Sequence, residues 1–232
     1  MNRNICYTLF FVMVALVSVA VTSCKQDKPS RGVSYDVAPE KPILGDTVQA
    51  KDDRSVDEFH SAFVYDADTV SIVIGGKDKY GVDITGPHTY VKCHKSQVRD
   101  KNLYVKYENK DTHYRKTHVA ITSSQLNCIR IHGCNVLIID GKDVGAQHLL
   151  VELTDVDKID NRATFSGESV ALHIDNAGGT YEVKCKDLKL RLGNSAKIAL
   201  KGTAHNVIFQ SGERSNADIS KLRTDSIITR QK

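Results

Sequence analysis

Short runs of alternating apolar residues recur about every twenty residues through the second half of the chain. In an extended strand successive side chains point to opposite faces, so each run indicates a strand with one buried face. Four positions represent the recurrence at nearly equal spacing: Val151, Leu172, Leu190 and Phe209. A nearly constant step of this size is typical of chains that wind into stacked coils.

Turn-forming residues separate these runs. Gly and Asn recur in "FSGE", "NAGG", "LGNS" and "QSGE", and they tolerate backbone angles that strand residues do not adopt. One such unit has too little apolar surface to fold alone, whereas stacked units bury a continuous inner column. The pattern therefore predicts an all-β, single-stranded, right-handed β-helix with about 20 residues per coil. An antiparallel β-sandwich, which also has short strands and frequent turns, is the alternative.

The amino-terminal residues have the features of an export signal. Arg3 precedes the apolar stretch "LFFVMVALVSVAV", which is shorter than the roughly 20 residues needed to cross a bilayer. The next four residues, Val21-Thr22-Ser23-Cys24, resemble the bacterial lipobox, in which the cysteine is lipid-modified and becomes the new amino terminus. We therefore interpret residues 1–23 as a lipoprotein signal peptide and Cys24 as the lipid attachment site. An uncleaved membrane anchor is the alternative.

A polar segment follows the lipobox. Residues 24–57 hold three of the four prolines and have no sustained periodicity, so we expect a flexible tether between the lipid and the folded domain. Lys25 differs from the aspartate that retains some lipoproteins in the inner membrane, which favours the outer membrane. The tripeptide Asp46-Thr47-Val48 resembles the O-glycosylation motif of exported Bacteroidota proteins, and Thr47 is therefore a candidate glycosylation site.

The span from Phe59 to Ile228 resembles the head GIN domain family of autotransporter adhesins, which is common in lipoproteins of Bacteroidota. The resemblance is carried by "FVYDADTVSIVIGGKDKYGVDITGP", by "THVAITSSQLNCIRIHGCNVLIID" and by the serine-glycine turns of "ATFSGESVALHIDNAGGTYEVKC". The stretch "GCNVLIID" departs from the family, which more often has a polar or glycine-rich segment there. The resemblance implies that residues 58–229 form one β-helical domain of adhesion type.

Composition and motifs exclude several other functions. The net charge of +4 is mild and spread along the chain, so we expect no nucleic-acid partner. The nine histidines form no HxH or HExxH arrangement, and each is interpreted as a surface side chain. No catalytic triad or phosphate-binding loop is present, and we expect no metal, cofactor or catalytic residue. Cys93 and Cys185 share strand faces with valines and are interpreted as buried core residues, whereas Cys128 and Cys134 could close a small disulfide loop.

The repeat also predicts a polar column on the outer surface. If the four inner positions stack, the residue after each one stacks outward at the strand spacing of about 4.8 Å. These residues are Glu152, His173, Arg191 and Gln210. Such a column could bind an acidic or polar sugar, and the alternative is an ordinary solvated face.

The sequence thus favours a lipid-anchored outer-membrane protein with a non-enzymatic binding or adhesion domain. Its expected partners are the membrane, through the lipid, and a glycan or another envelope protein. Unpaired strand edges on the terminal coils also predict self-association. The alternatives are a polysaccharide-acting β-helix enzyme, which would need clustered carboxylates around a groove, and a structural or signalling envelope protein.

Overall fold

The computed structural model describes residues 47–229 apart from 76–78, 109–115, 142–143, 146 and 212–215. The predicted signal peptide, Cys24 and most of the predicted tether lie outside these residues. The described part is almost entirely β-strand, which confirms the all-β prediction. Its elements in chain order are β1 (Gln49–Ser55), β2 (Ser61–Ile74), β3 (Gly81–Pro87), α1 (His88–Val91), β4 (His94–Arg99), β5 (Asn102–Tyr107), β6 (His118–Ser123), β7 (Cys128–Gly141), β8 (Val144–Gly145), β9 (His148–Asn161), β10 (Thr164–Leu192), β11 (Lys197–Ser211) and β12 (Ala217–Thr229). Of these described elements, no helix is long and apolar enough to cross a bilayer.

The long strands from β7 onward pair in parallel with the next long strand along the chain. Val151 lies beside Ile129 on one side and Leu172 on the other, and Leu190 lies beside Phe209. The long strand β10 bends back on itself. The amide of Gly193 donates to the carbonyl of Ile174 (2.8 Å), and this bond places Leu192 beside Ile174. Continued along the strand, the same register would set Leu190 beside Leu172.

The four predicted inner positions form the centre of the core. Val151, Leu172 and Leu190 are 0% exposed and Phe209 is 1% exposed. Full burial of a side chain of this size contributes about 1.5–3 kcal/mol. The four predicted inner positions are therefore all buried, and β9, β10 and β11 pair in parallel, whereas the strands of the sandwich alternative pair antiparallel.

One corner of the ladder is made by residues in the left-handed backbone region. They occupy one register position on four successive strands, with φ between 47° and 69°: Asp66, Gly133, Asp155 and Asn176. Asn, Asp and Gly tolerate this conformation best, so the chain turns the corner at low cost. The side chains also support each other, because the Asn176 amide donates to the Asp155 carboxylate (2.6 Å).

The amino-terminal region is built differently. Strand β2 lies between β7 on one side and β5 and β6 on the other, although β5 and β6 come earlier in the chain than β7. The outer edges of β5 and β6 pair antiparallel with β4 and β3. Strand β1 then pairs antiparallel with β3. We call β1, β3, α1 and β4 the cap, because they cover this end of the parallel ladder.

Strand β1 corrects the predicted boundary between tether and domain. The tether was expected to extend to residue 57, but Gln49–Ser55 is a paired strand. Its residues are mostly polar, and the order comes from backbone pairing and from Arg54. The guanidinium of Arg54 donates to the His94 carbonyl (3.0 Å) and to the Ser96 hydroxyl (2.8 Å). Thr47 is exposed just before this strand.

Candidate ligand-binding site

Three residues of the predicted polar column lie together on the outer surface of the ladder. Glu152 and His173 are directly opposite each other on β9 and β10. Together with Arg191 they line an open cleft of about 370 Å³. The full lining is Glu152, Thr154, His173, Ile174, Asp175, Arg191, Leu192, Gly193 and Ser211.

Alternation along each strand explains why these side chains face outward. Glu152 lies between the buried residues Val151 and Leu153. The same relation holds for His173, between Leu172 and Ile174, and for Arg191, between Leu190 and Leu192. Parallel pairing then sets the three polar groups about 4.8 Å apart along the ladder.

Gln210 departs from the predicted register. Leu190 pairs with Phe209, but the register shifts at the next residue and Arg191 pairs with Ser211. Ser211, and not Gln210, therefore lines the cleft beside Arg191. Such a bulge inserts one extra residue in one strand, and the alternation of Val207 and Phe209 gives no sign of it.

Arg130 extends the column beyond the residues expected from the sequence. It lies opposite Glu152 on β7, and its guanidinium forms an ion pair with the Glu152 carboxylate (2.9 Å). The other side of the guanidinium lies over the Phe63 ring, 5.2 Å from its centre. The sequence does hold a signal for Arg130, since it follows Ile129 as Glu152 follows Val151, one step of the repeat earlier.

Two aromatic rings continue the column at its far end. Phe63 on β2 and Tyr104 on β5 lie opposite each other, and their rings stack at 4.9 Å with an angle of 14°. This pair is not predictable from the repeat, because β5 does not follow β2 by the usual step. The outer face thus runs from stacked rings, through the Arg130–Glu152 pair, to His173 and Arg191.

The charged side chains of the cleft differ in how freely they can bind a ligand. Burial lowers the pKa of His173, the nearby arginines lower it further and Glu152 opposes them, so the imidazole is neutral near pH 7. Glu152 is engaged by Arg130. Arg191 supplies the positive charge among the cleft-lining residues. It lies beside the neutral imidazole of His173 and the Ser211 hydroxyl. This combination of donors suits an oxygen-rich ligand that carries negative charge.

Gly193 forms part of the cleft wall. A Cβ atom added at this position would lie 1.8 Å from Oδ1 of Asp175. Any larger residue would force the Asp175 side chain to move within the cleft. The glycine of the "LGNS" turn therefore also sets the shape of the site.

The cysteines are placed as follows. Cys93 and Cys185 are buried, as expected, and Cys128 and Cys134 do not form the loop disulfide considered for them. Burial raises the pKa of the Cys185 thiol to about 11. Within the described ranges no group of three or more His, Cys, Asp or Glu side chains could hold a metal ion.

His94 corrects the expectation that every histidine is a surface residue. It is 2% exposed within the cap, and its Nε2 is hydrogen-bonded to the Thr117 hydroxyl (2.6 Å). Burial, with a smaller contribution from the Arg54 charge, lowers the pKa of His94 to about 3. The sequence offered no periodic signal here, because His94 begins a strand of the cap and not a coil of the repeat.

Comparisons with known proteins give one family model and several similar structures. Residues 59–230 match the model of a family described as "Putative auto-transporter adhesin, head GIN domain". A crystal structure described as a "putative lipid binding protein" from Parabacteroides distasonis is similar, with 13% identity and a TM-score of 0.65 over 80% of this chain and 79% of that chain. A "putative adhesin" from Bacteroides fragilis has 14% identity and a TM-score of 0.49, over 79% of this chain and 96% of that chain. No curated protein sequence matches the chain.

Proposed function

Because the chain belongs to the head GIN domain family of auto-transporter adhesins, we propose that it is a cell-envelope protein whose folded domain binds a ligand without catalysis. We further propose that the domain is a single-stranded, right-handed β-helix. The parallel pairing of strands at steps of about twenty residues supports that architecture. Crossovers between parallel strands are right-handed in nearly all proteins, which supports the hand.

The proposed address is the outer membrane, reached by export and held by lipid on Cys24. The lipobox-like sequence before Cys24 and the short apolar stretch support this proposal. Each buried methylene of an acyl chain contributes about 0.8 kcal/mol, so several chains would hold the protein firmly. Labelling cells with a fatty-acid analogue should mark the wild-type chain and not a Cys24→Ala variant. Equal labelling of both would refute the anchor.

Thr47 is proposed as a glycosylation site in the exposed segment before β1. Its motif and its exposure support the proposal. Mass spectrometry of the chain from its native host should show a glycan on the peptide that contains Thr47. An unmodified peptide would refute it.

The ligand proposed for the cleft is an acidic or polar sugar, a class found on glycans of cell envelopes. The observation that carries this proposal is the grouping of Arg191, His173 and Ser211 around one open cleft. A guanidinium forms paired hydrogen bonds with a carboxylate, while a neutral imidazole and a hydroxyl can bind sugar hydroxyls. Asp175 on the cleft wall would accept hydrogen bonds from further hydroxyls.

The arrangement favours binding over glycoside hydrolysis. Hydrolysis needs two carboxyl groups with separate roles, one of them a proton donor. The Glu152 carboxylate is engaged by the Arg130 guanidinium (2.9 Å), so it is held by a neighbouring side chain and not left available to a scissile bond. The cleft residues therefore suit a module that holds a glycan.

A glycan array combined with an assay for released reducing ends tests both functions. We expect binding to acidic glycans without release of reducing ends, and at least tenfold weaker binding for Arg191→Ala. Arg99→Ala is the matched control, because Arg99 is exposed at the capped end of the ladder. Turnover that depends on Asp175 or Glu152 would establish an enzyme instead. Equal binding by both variants would remove the cleft from the proposal.

A further inference from the structure

The two ends of the parallel ladder are unequal. At the amino-terminal end the edges of β5 and β6 are covered by β4 and β3. At the other end β12 closes the strand order, and within the described ranges it pairs with β11 alone. An edge strand presents backbone donors and acceptors that can pair with another chain. Among the described residues β1 and β4 are also edge strands, but they span 7 and 6 residues, whereas β12 spans 13. The carboxyl-terminal end therefore presents the longest edge from which a second chain could continue the sheet.

The sequence of β12 is suited to pairing. The strand spans 13 residues, "ADISKLRTDSIIT", without proline or glycine. Arg223 and Asp225 lie on either side of Thr224, and both are exposed. Ile228, 45% exposed, is among the few exposed large apolar side chains of the described residues. Charged residues on an edge usually block association, but here charges of opposite sign are placed symmetrically about one residue.

We propose that β12 pairs antiparallel with β12 of a second copy of this chain, about a two-fold axis through Thr224. In this register Arg223 of each copy lies opposite Asp225 of the other, which gives two ion pairs per dimer. Leu222 then lies opposite Ser226, and Ile228 lies opposite Ser220. The contact is the same on both copies, so it closes as a dimer and does not extend into a fibre.

Neighbouring registers are disfavoured by like charges. An axis through Arg223 sets Lys221 opposite Asp225 but places the two Arg223 side chains against each other at the centre, and an axis through Asp225 does the same for the two carboxylates. An axis through Leu222 places Lys221 opposite Arg223. Like charges directly opposite on paired strands are destabilising, so the axis through Thr224 is the favoured register.

Charge-reversal variants test this register. Sedimentation velocity of the full-length chain in detergent should show a dimer. Arg223→Glu or Asp225→Arg alone places like charges opposite each other, and each should weaken dimerisation at least tenfold. The double variant R223E/D225R exchanges the two charges and should restore the dimer. Arg99→Glu makes the same charge change at the capped end and should have no effect.

Several outcomes would overturn the proposal. A wild-type chain that is monomeric at tens of micromolar refutes it. Single variants that dimerise like the wild type also refute it, because that result is expected if shared detergent micelles cause the association. Asp225 also accepts a hydrogen bond from His205 (2.7 Å), so circular dichroism of D225R must match the wild type. If D225R is misfolded, R223E and a Thr224→Cys variant decide the matter, because a cysteine on the axis should form an intermolecular disulfide.

Discussion

In residues 148–211 each strand pairs with the strand that follows it, whereas in residues 49–107 most strands pair with distant ones. Val151 on β9 pairs with Leu172 on β10, one step of the repeat later. Val64 on β2 pairs with Val105 on β5 and with Ile131 on β7, several strands further along the chain. The first region is held by a repeated apolar step, whereas the second combines parallel pairs of β2 with antiparallel strands of the cap. The molecule therefore has a regular parallel ladder whose first strands are covered by a cap that follows no repeat.

The largest expected effect is loss of packing in the inner column of the ladder. Leu172→Ala should lower the free energy of unfolding by about 3 kcal/mol, because it leaves a cavity between Val151 and Leu190. Urea denaturation measures the change. Val73→Ala is the matched control, since Val73 is 49% exposed, and it should cost less than about 0.5 kcal/mol. A cost below about 1 kcal/mol for Leu172→Ala would show that the column does not hold the ladder together.

The cap should be the acid-sensitive region. The pKa of His94 is about 3 in the folded protein and about 6.5 when unfolded, so between these values the unfolded chain binds more protons. The contribution of His94 is complete above pH 6.5 and falls by about 1.4 kcal/mol per pH unit as the pH drops towards 3.

His94→Gln removes the titrating group and keeps a partner for Thr117. Unfolding at pH 7, 5.5 and 4.5 should therefore show a smaller loss of stability in the variant than in the wild type. Curves that run parallel for the two proteins would mean that His94 is not buried as a neutral group.

The sequence predicts more of residues 148–211, which follow the repeat, than of residues 49–107, which do not. The inner column and three of the column residues follow from alternation and step length, because parallel neighbours share one register. The prediction for Gln210 is wrong, because a bulge adds one residue to β11 without changing the apolar alternation. The cap was missed, since β1 is a polar strand held by distant backbone partners. The stacking of Phe63 on Tyr104 was not predicted either, because β2 and β5 pair at no fixed step along the sequence.

A backbone change in the ladder should have a smaller effect than a cavity. Gly202 has φ +105°, and a Cβ atom there would lie 2.1 Å from the Val183 carbonyl oxygen. Gly202→Ala should cost about 2 kcal/mol, because the neighbouring strand must shift. Gly81→Ala in the cap is the control, since its Cβ would meet nothing within 4 Å. Equal melting temperatures for the two variants would contradict this account of the close approach between Gly202 and Val183.

The smallest effect is expected where polar bonds hold β1 to β4 within the cap. Arg54→Ala removes the bonds to the His94 carbonyl and the Ser96 hydroxyl and should cost about 1 kcal/mol. Hydrogen exchange should accelerate in β1 and β4 but not in β10 or β11. Faster exchange throughout the ladder would show that cap and ladder unfold as one unit.

A crystal structure of the protein tests the central claim most directly, through the distance between the Cα atoms of Leu172 and Leu190. The stacked register predicts about 4.8 Å, with both side chains in the interior and His173 beside Arg191 on the outside. A separation of about 10 Å or more, which is the spacing of two sheets packed face to face, would contradict the ladder and the cleft together.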